Sequence, residues 1–213
     1  MFLSATKPSK LKRKHRDVIV LKRVSLFCGS SPGASTSYTV AAKQLGTQLA
    51  QAGITIVYGG ARVGLMGTVA NAALHAGGQV IGVIPKMLMV RENAHTELTE
   101  LIVVNTMHER KAKMEELSDG FIVLPGGPGT MEEFFEVYTW AQLGEHQKPI
   151  GMLNSNDYYD KLLSFFDHMI SEEFLKAEYK SFVIVEKNPL KLIERCLAYE
   201  PPQLPKWINR QET

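Results

Sequence analysis

Residues 121–133 read Phe121-Ile122-Val123-Leu124-Pro125-Gly126-Gly127-Pro128-Gly129-Thr130-Met131-Glu132-Glu133, and the folding of this stretch decides the architecture of the chain. The four apolar residues suit a short buried strand. A Gly/Pro turn follows, and a helical pattern runs from Met131 to Leu143. Strand, Gly-rich turn and helix, in that order, form the unit of parallel α/β sheets. Such a turn offers free backbone N–H groups and the positive end of the helix dipole, which together suit a phosphate. Gly126, Gly127 and Gly129 let an anion approach the backbone around Pro128, and Thr130 adds a hydroxyl donor. The pattern places Glu132 and Glu133 in the first helical turn, beside that anion. Favourable interaction with the helix dipole accounts for one carboxylate there. A site that binds a phosphate and acts on the sugar attached to it accounts for both.

The segment has neither the Gly-Lys-Ser/Thr ending of a P-loop nor the spacing of a dinucleotide fingerprint. Working outward, apolar runs predict strands at 24–28, 54–58, 79–84, 101–104, 150–153 and 182–185. Helical patterns fall near 36–52, 66–76, 107–118, 158–171 and 189–198. This alternation predicts a doubly wound parallel sheet with helices on both faces. Ligands in such sheets bind at the carboxyl ends of strands, near the switch in strand order. Three Gly-rich turns are predicted there: 29–33, 59–67 and 126–129.

With 213 residues, 45% hydrophobic and 22% charged, the chain suits one globular domain. No apolar run approaches the ~20 residues of a membrane span. Charge is uneven. Residues 1–23 carry eight Lys/Arg and one Asp, +7, so the rest carries −5 of the net +2. That basic segment, 1–23, reads as a solvated, disordered extension, with nucleic acid or anionic lipid as the disfavoured alternative. The domain is expected to span 24–198, followed by an irregular tail, 199–213, containing Pro201, Pro202 and Pro205. Cys28 and Cys196 have no metal-ligand spacing and read as reduced packing residues of a cytoplasmic protein. His75, His95, His108, His146 and His168 are scattered, so no metal is assigned.

Two helices carry charge where apolar residues are expected. Met107, Arg110, Met114 and Leu117 share one face, which puts Arg110 on the buried side. A buried guanidinium needs an anionic partner. Arg also suits bidentate anion recognition. Along the other helix, Glu133, Val137 and Trp140 share a face, so Glu133 points along an apolar strip and Arg110 is its natural partner. Glu132 and Glu136 read as solvated or capping residues. Tyr58-Gly59-Gly60-Ala61-Arg62-Val63-Gly64-Leu65-Met66-Gly67 shows tight turns and close helix packing, and Ser30 reads first as a cap.

The motifs at 28–31 (CGSS), 58–67 (YGGARVGLMG), 107–111 (MHERK), 125–133 (PGGPGTMEE) and 136–144 (EVYTWAQLG) resemble those of the LOG ("lonely guy") family. The likeness runs from about Val24 to Ala198. It implies a Rossmann-like homodimer that hydrolyses the N-glycosidic bond of an adenine-type nucleoside 5′-monophosphate, without a cofactor. It further implies catalytic roles for Arg110 and Glu133. Substrate contacts are implied for Glu92, Arg110, Lys111, Gly126, Gly127, Pro128, Gly129, Thr130, Met131, Glu132, Glu133 and Thr139, with weaker cases for Ser30, Gly59 and Gly60. Pro128 departs from the family pattern, which often has Tyr there. The rival readings are a non-catalytic nucleotide carrier on the same fold, a nucleic-acid-associated protein and, least favoured, a pyridoxal-phosphate decarboxylase.

Overall fold

The computed structural model describes residues 20–90 and 93–202. Most of the basic segment, Glu92 and the end of the C-terminal tail lie outside these residues. Seven parallel strands form one sheet: β1 Arg23–Phe27, β2 Thr55–Tyr58, β3 Val80–Pro85, β4 Glu100–Val104, β5 Gly120–Val123, β6 Ile150–Leu153 and β7 Val183–Glu186. Their spatial order is β4-β3-β2-β1-β5-β6-β7. Six helices connect and follow them: α1 Thr36–Gln51, α2 Gly64–His75, α3 Met107–Leu117, α4 Pro128–Leu143, α5 Asp160–Ser171 and α6 Pro189–Leu197.

Alternation along the central strands divides the core in two, because successive side chains leave a strand on opposite faces. Val24, Leu26, Ile56 and Ile122 join α1, α2 and α6 residues on one face. Phe27, Val57, Phe121 and Val123 join Phe134, Val137 and Phe166 of α4 and α5 on the other. The sheet is therefore covered on both sides, as its nearly continuous apolar strands require. Leu21 is already buried in the core, two residues before β1 opens.

The chain builds outward from β1 through β2 and β3 to β4, then crosses back to place β5 against the other edge of β1. That reversal opens a crevice at the carboxyl ends of β1 and β5, where turns 29–33 and 125–127 face each other.

Two buried histidines brace the connections. His146 Nε2–H donates to the Val137 carbonyl at 2.8 Å, while its Nδ1 accepts the Lys148 N–H at 3.2 Å. His95 makes the same kind of pair, to Asn71 Oδ1 at 2.9 Å and from the Glu97 N–H at 3.3 Å. Protonation would set N–H against N–H in both. Both rings titrate below the usual 6.5, chiefly because burial disfavours the charge. Arg62 adds to this at His95 against Glu97; at His146 the Val137 carbonyl and Glu115 oppose it and Lys148 reinforces it. Below pH 6.5 the unfolded chain thus binds more protons than the folded one. Stability is full above that value and falls as pH drops through the depressed range. The urea midpoint should be lower at about pH 5 than at about pH 7.5. Replacing both histidines with Gln should shrink the difference; an unchanged difference in that variant would refute the assignment.

Candidate active site

Backbone hydrogen bonds stitch the three Gly-rich turns together at the crevice. The Gly29 N–H donates to the Pro125 carbonyl at 3.1 Å, and the Leu65 N–H donates to the Gly29 carbonyl at 3.0 Å. Gly64, at φ +59°, touches the first turn so closely that a Cβ there would lie 2.2 Å from the Ser30 carbonyl carbon. Only glycine fits that contact. The result is a cavity of about 280 Å³ whose walls include Ser30, Gly126, Gly127, Tyr38 and Tyr158.

Helix α4 starts at Pro128, three residues earlier than its side-chain pattern suggests, with Gly127 as N-cap. The reason is local: Pro is pre-set for the first helical position and Gly tolerates the cap, yet neither carries a periodicity signal. The earlier start corrects the expected placement of Glu132 and Glu133. They stand in the second turn, and no acid occupies the first. The first-turn N–H groups, which have no intrahelical acceptor, are left clear for an anion. A Cβ on Gly127 or Gly129 would meet open space. Thr130 is buried, its Oγ1 tucked against Gly126. Met131 is half-buried, its N–H bonded to the Gly127 carbonyl at 3.2 Å.

Arg110 of α3 is 6% exposed, and its Nη2 lies 3.7 Å from Oε1 of Glu133. That separation is an ion pair rather than a hydrogen bond. Arg110 Nε is buried with no hydrogen-bond partner among the described residues. The guanidinium passes directly over Gly59: a Cβ there would fall 2.0 Å from Nη2 and 3.0 Å from Cζ. Cys28 lies close by. Burial first, and the Glu133 carboxylate second, push its thiol well up against the pull of Arg110, so it stays protonated.

Lys111 corrects the reading of two acids. Glu132 and Glu136 do not simply face water; their Oε1 atoms approach Lys111 Nζ at 2.5 and 3.0 Å. Burial works against the Lys111 charge, but the two carboxylates outweigh it and raise its affinity for the proton. This cluster clamps α3 to α4 one residue away from Arg110 and Glu133.

Other expected residues stand apart. Thr139 is exposed, and nine residues of helix put it roughly 13 Å along the axis from Thr130. Gly60 packs against Ile84 and Leu101 and accepts the His95 N–H, away from the cavity. Glu92 lies outside the described residues. Tyr38 and Tyr158 went unnoticed in the sequence because aromatic residues near helix starts read as core. Among the described residues no group of His, Cys, Asp or Glu is arranged to hold a metal.

Gly59 and Gly129 therefore make opposite predictions. Gly59→Ala should lower the melting temperature, since overpacking against a buried side chain costs about 1–3 kcal/mol. Gly129→Ala should leave it nearly unchanged. Equal melting temperatures for the two variants would contradict this packing.

A family model described as possible lysine decarboxylase matches residues 66–196. The chain is 54% identical over 168 residues to the cytokinin riboside 5′-monophosphate phosphoribohydrolase of Rhodococcoides fascians, covering 78% of this chain and 85% of that one. It is 48% identical over 180 residues to an Arabidopsis thaliana protein of the same description, covering 84% and 83%. Among solved structures, the molybdenum cofactor carrier protein of Chlamydomonas reinhardtii superposes with a TM-score of 0.63, covering 84% of this chain and all of that one. At 19% identity that likeness concerns the fold alone.

Proposed function

The chain belongs to the LOG family of phosphoribohydrolases, and from that premise we propose how its own residues perform the hydrolysis. The substrate is an adenine-type nucleoside 5′-monophosphate of the cytokinin class, N6-modified, and the products are the free base and ribose 5-phosphate. One observation carries the mechanism: the pair of buried Arg110 and largely buried Glu133 lies beside the open amino end of α4. The 5′-phosphate rests on the N–H groups of Gly127, Gly129 and Thr130, Pro128 having none, at the positive end of the helix dipole. Glu133 is six residues beyond Gly127, about 9 Å along the axis, where the anomeric carbon of a ribose anchored by its phosphate can reach.

Breaking the bond from C1′ to the base nitrogen builds positive charge on the sugar. The Glu133 carboxylate stabilises that charge and accepts a proton from the water whose oxygen bonds to C1′. The base leaves with the bond's electrons and takes up a proton from solvent, and Glu133 returns its proton to solvent. Arg110 holds Glu133 in place and offsets the crowding of two anions. Phosphate binding orients the reacting centre, so remote contacts assist the chemical step.

A carrier has no use for a largely buried carboxylate beside its phosphate site, which favours hydrolysis over the carrier reading. The family description as a possible decarboxylase does not change this. A Schiff-base lysine is activated by loss of its charge, whereas Lys111, next to the site, is held charged by two carboxylates.

We also infer a cytoplasmic homodimer. Phe135, Trp140, Ala141 and Leu162 remain only partly buried in one chain, and a second copy would cover them. Cys28 and Cys196 are free thiols, which fits a reducing compartment. Among the described residues no helix is long and apolar enough to cross a membrane. Light scattering should give twice the 23.7 kDa chain mass; the monomer mass at micromolar concentration would refute the dimer.

Two measurements test the mechanism. Glu133→Gln should abolish hydrolysis while nucleotide binding stays measurable by calorimetry; near-normal turnover would remove Glu133 from the reaction. The unphosphorylated nucleoside should be poorer than its 5′-monophosphate by on the order of a hundredfold in kcat/KM, as two lost charge-assisted hydrogen bonds imply. Arg110→Ala should narrow that gap, and Arg110→Lys should restore little of it. Equal efficiencies would instead indicate a nucleosidase.

A further inference from the structure

The carbonyls of Leu124, Pro125 and Gly126 are each held by a separate donor. Tyr159 Oη donates to Leu124 O at 2.6 Å, the Gly29 N–H to Pro125 O at 3.1 Å, and Tyr158 Oη to Gly126 O at 2.6 Å. In a trans peptide the carbonyl and the following N–H point in opposite directions. Fixing Gly126 O towards Tyr158 therefore fixes the Gly127 N–H away from it, and Gly127 is the N-cap of α4. Two successive glycines are the least restrained backbone in the turn. A flip of their shared peptide would present a carbonyl oxygen to a bound anion and withdraw a donor.

We propose that Tyr158 is a positioning residue for phosphate recognition, its phenol locking the Gly126–Gly127 peptide in the orientation that an anion needs. This rests on the phosphate site proposed above but concerns a residue on a different segment of the chain. The surroundings of Tyr158 suit the task. Its ring is gripped edge-on by Tyr38, with centroids 5.8 Å apart at 83°, and by Tyr159, at 4.9 Å and 85°. Asn156 and Asp157, just before it, take left-handed φ values of 53° and 58°. Non-glycine residues adopt that conformation in succession only where the fold over-determines it. Asn156 Nδ2 donates to Tyr38 Oη at 3.4 Å, and Asp157 pairs with Lys187. The segment is thus anchored on both sides so that one phenol reaches one carbonyl. Buried Tyr159 braces the strand end; Tyr158, 43% exposed, braces the turn at the cavity.

Tyr158→Phe removes the hydroxyl and keeps the ring. The variant should raise KM for a nucleoside 5′-monophosphate about two- to tenfold, the range of one hydrogen bond. Inhibition by inorganic phosphate should weaken by the same factor. Its efficiency on the unphosphorylated nucleoside and its melting temperature should stay near wild type. Unchanged KM and unchanged phosphate inhibition would overturn the proposal. So would equal losses on nucleotide and nucleoside with a lower melting temperature, which mark a merely structural role. Wild-type turnover of the nucleotide, measured alongside, separates this proposal from the hydrolase reading. If wild type were inactive, calorimetric binding of inorganic phosphate to the two proteins would still decide the role of Tyr158.

Discussion

Arg110 and Glu133 face each other in a site from which water is largely excluded, and neither could sit there alone. An unpaired buried charge is costly, whereas a pair can be tolerated. Much of the neighbouring structure follows from accommodating that pair. Gly59 lacks a side chain where the guanidinium crosses it. Lys111, Glu132 and Glu136 fasten α3 to α4 at the adjacent position, so the two helices present Arg110 and Glu133 at a fixed separation. The Cys28 thiol is kept protonated and adds no further charge. At 3.7 Å the pair is loose, and a guanidinium with five donors retains capacity for a second anion.

The fold was legible because its signals are local and repetitive. Apolar runs such as Ile54-Thr55-Ile56-Val57-Tyr58 and Phe121-Ile122-Val123-Leu124 can be little other than strands between Gly-rich turns, and β2 and β5 lie on them. The elements that escaped are those stabilised by backbone geometry or distant partners. The first turn of α4 is Pro128-Gly129-Thr130, whose residues carry no helical periodicity. The 3-10 turns at 86–88, 155–157 and 177–182 are too short to show a period.

At the site, legibility depended on anomaly. Arg110 and Glu133 were visible because a charge on an apolar helix face contradicts its neighbours. Gly59 was visible only as a turn residue; its clearance for Arg110 joins positions 51 residues apart in sequence and has no local signature. Lys111 with its two acids looked like ordinary surface charge for the same reason. Tyr158 was hidden by the plainness of its residue type, since an aromatic before a helix belongs more often to a core than to a site.

In the proposed mechanism the same helix end serves two needs that would conflict if they were closer together. Its first turn must stay free of carboxylates to receive a phosphate, while hydrolysis requires a carboxylate within reach of the sugar. The sequence meets both through the early start at Pro128, which shifts Glu133 into the second turn. A start at Met131 would have set both glutamates among the N–H groups that an anion needs. Repulsion there would oppose binding, and their favourable interaction with the dipole would compete with the ligand. The Gly-Pro-Gly opening of α4 is thus more than a flexible loop. It adds most of one helical turn, and in the proposed mechanism that turn separates the donors that hold the phosphate from the carboxylate that assists cleavage.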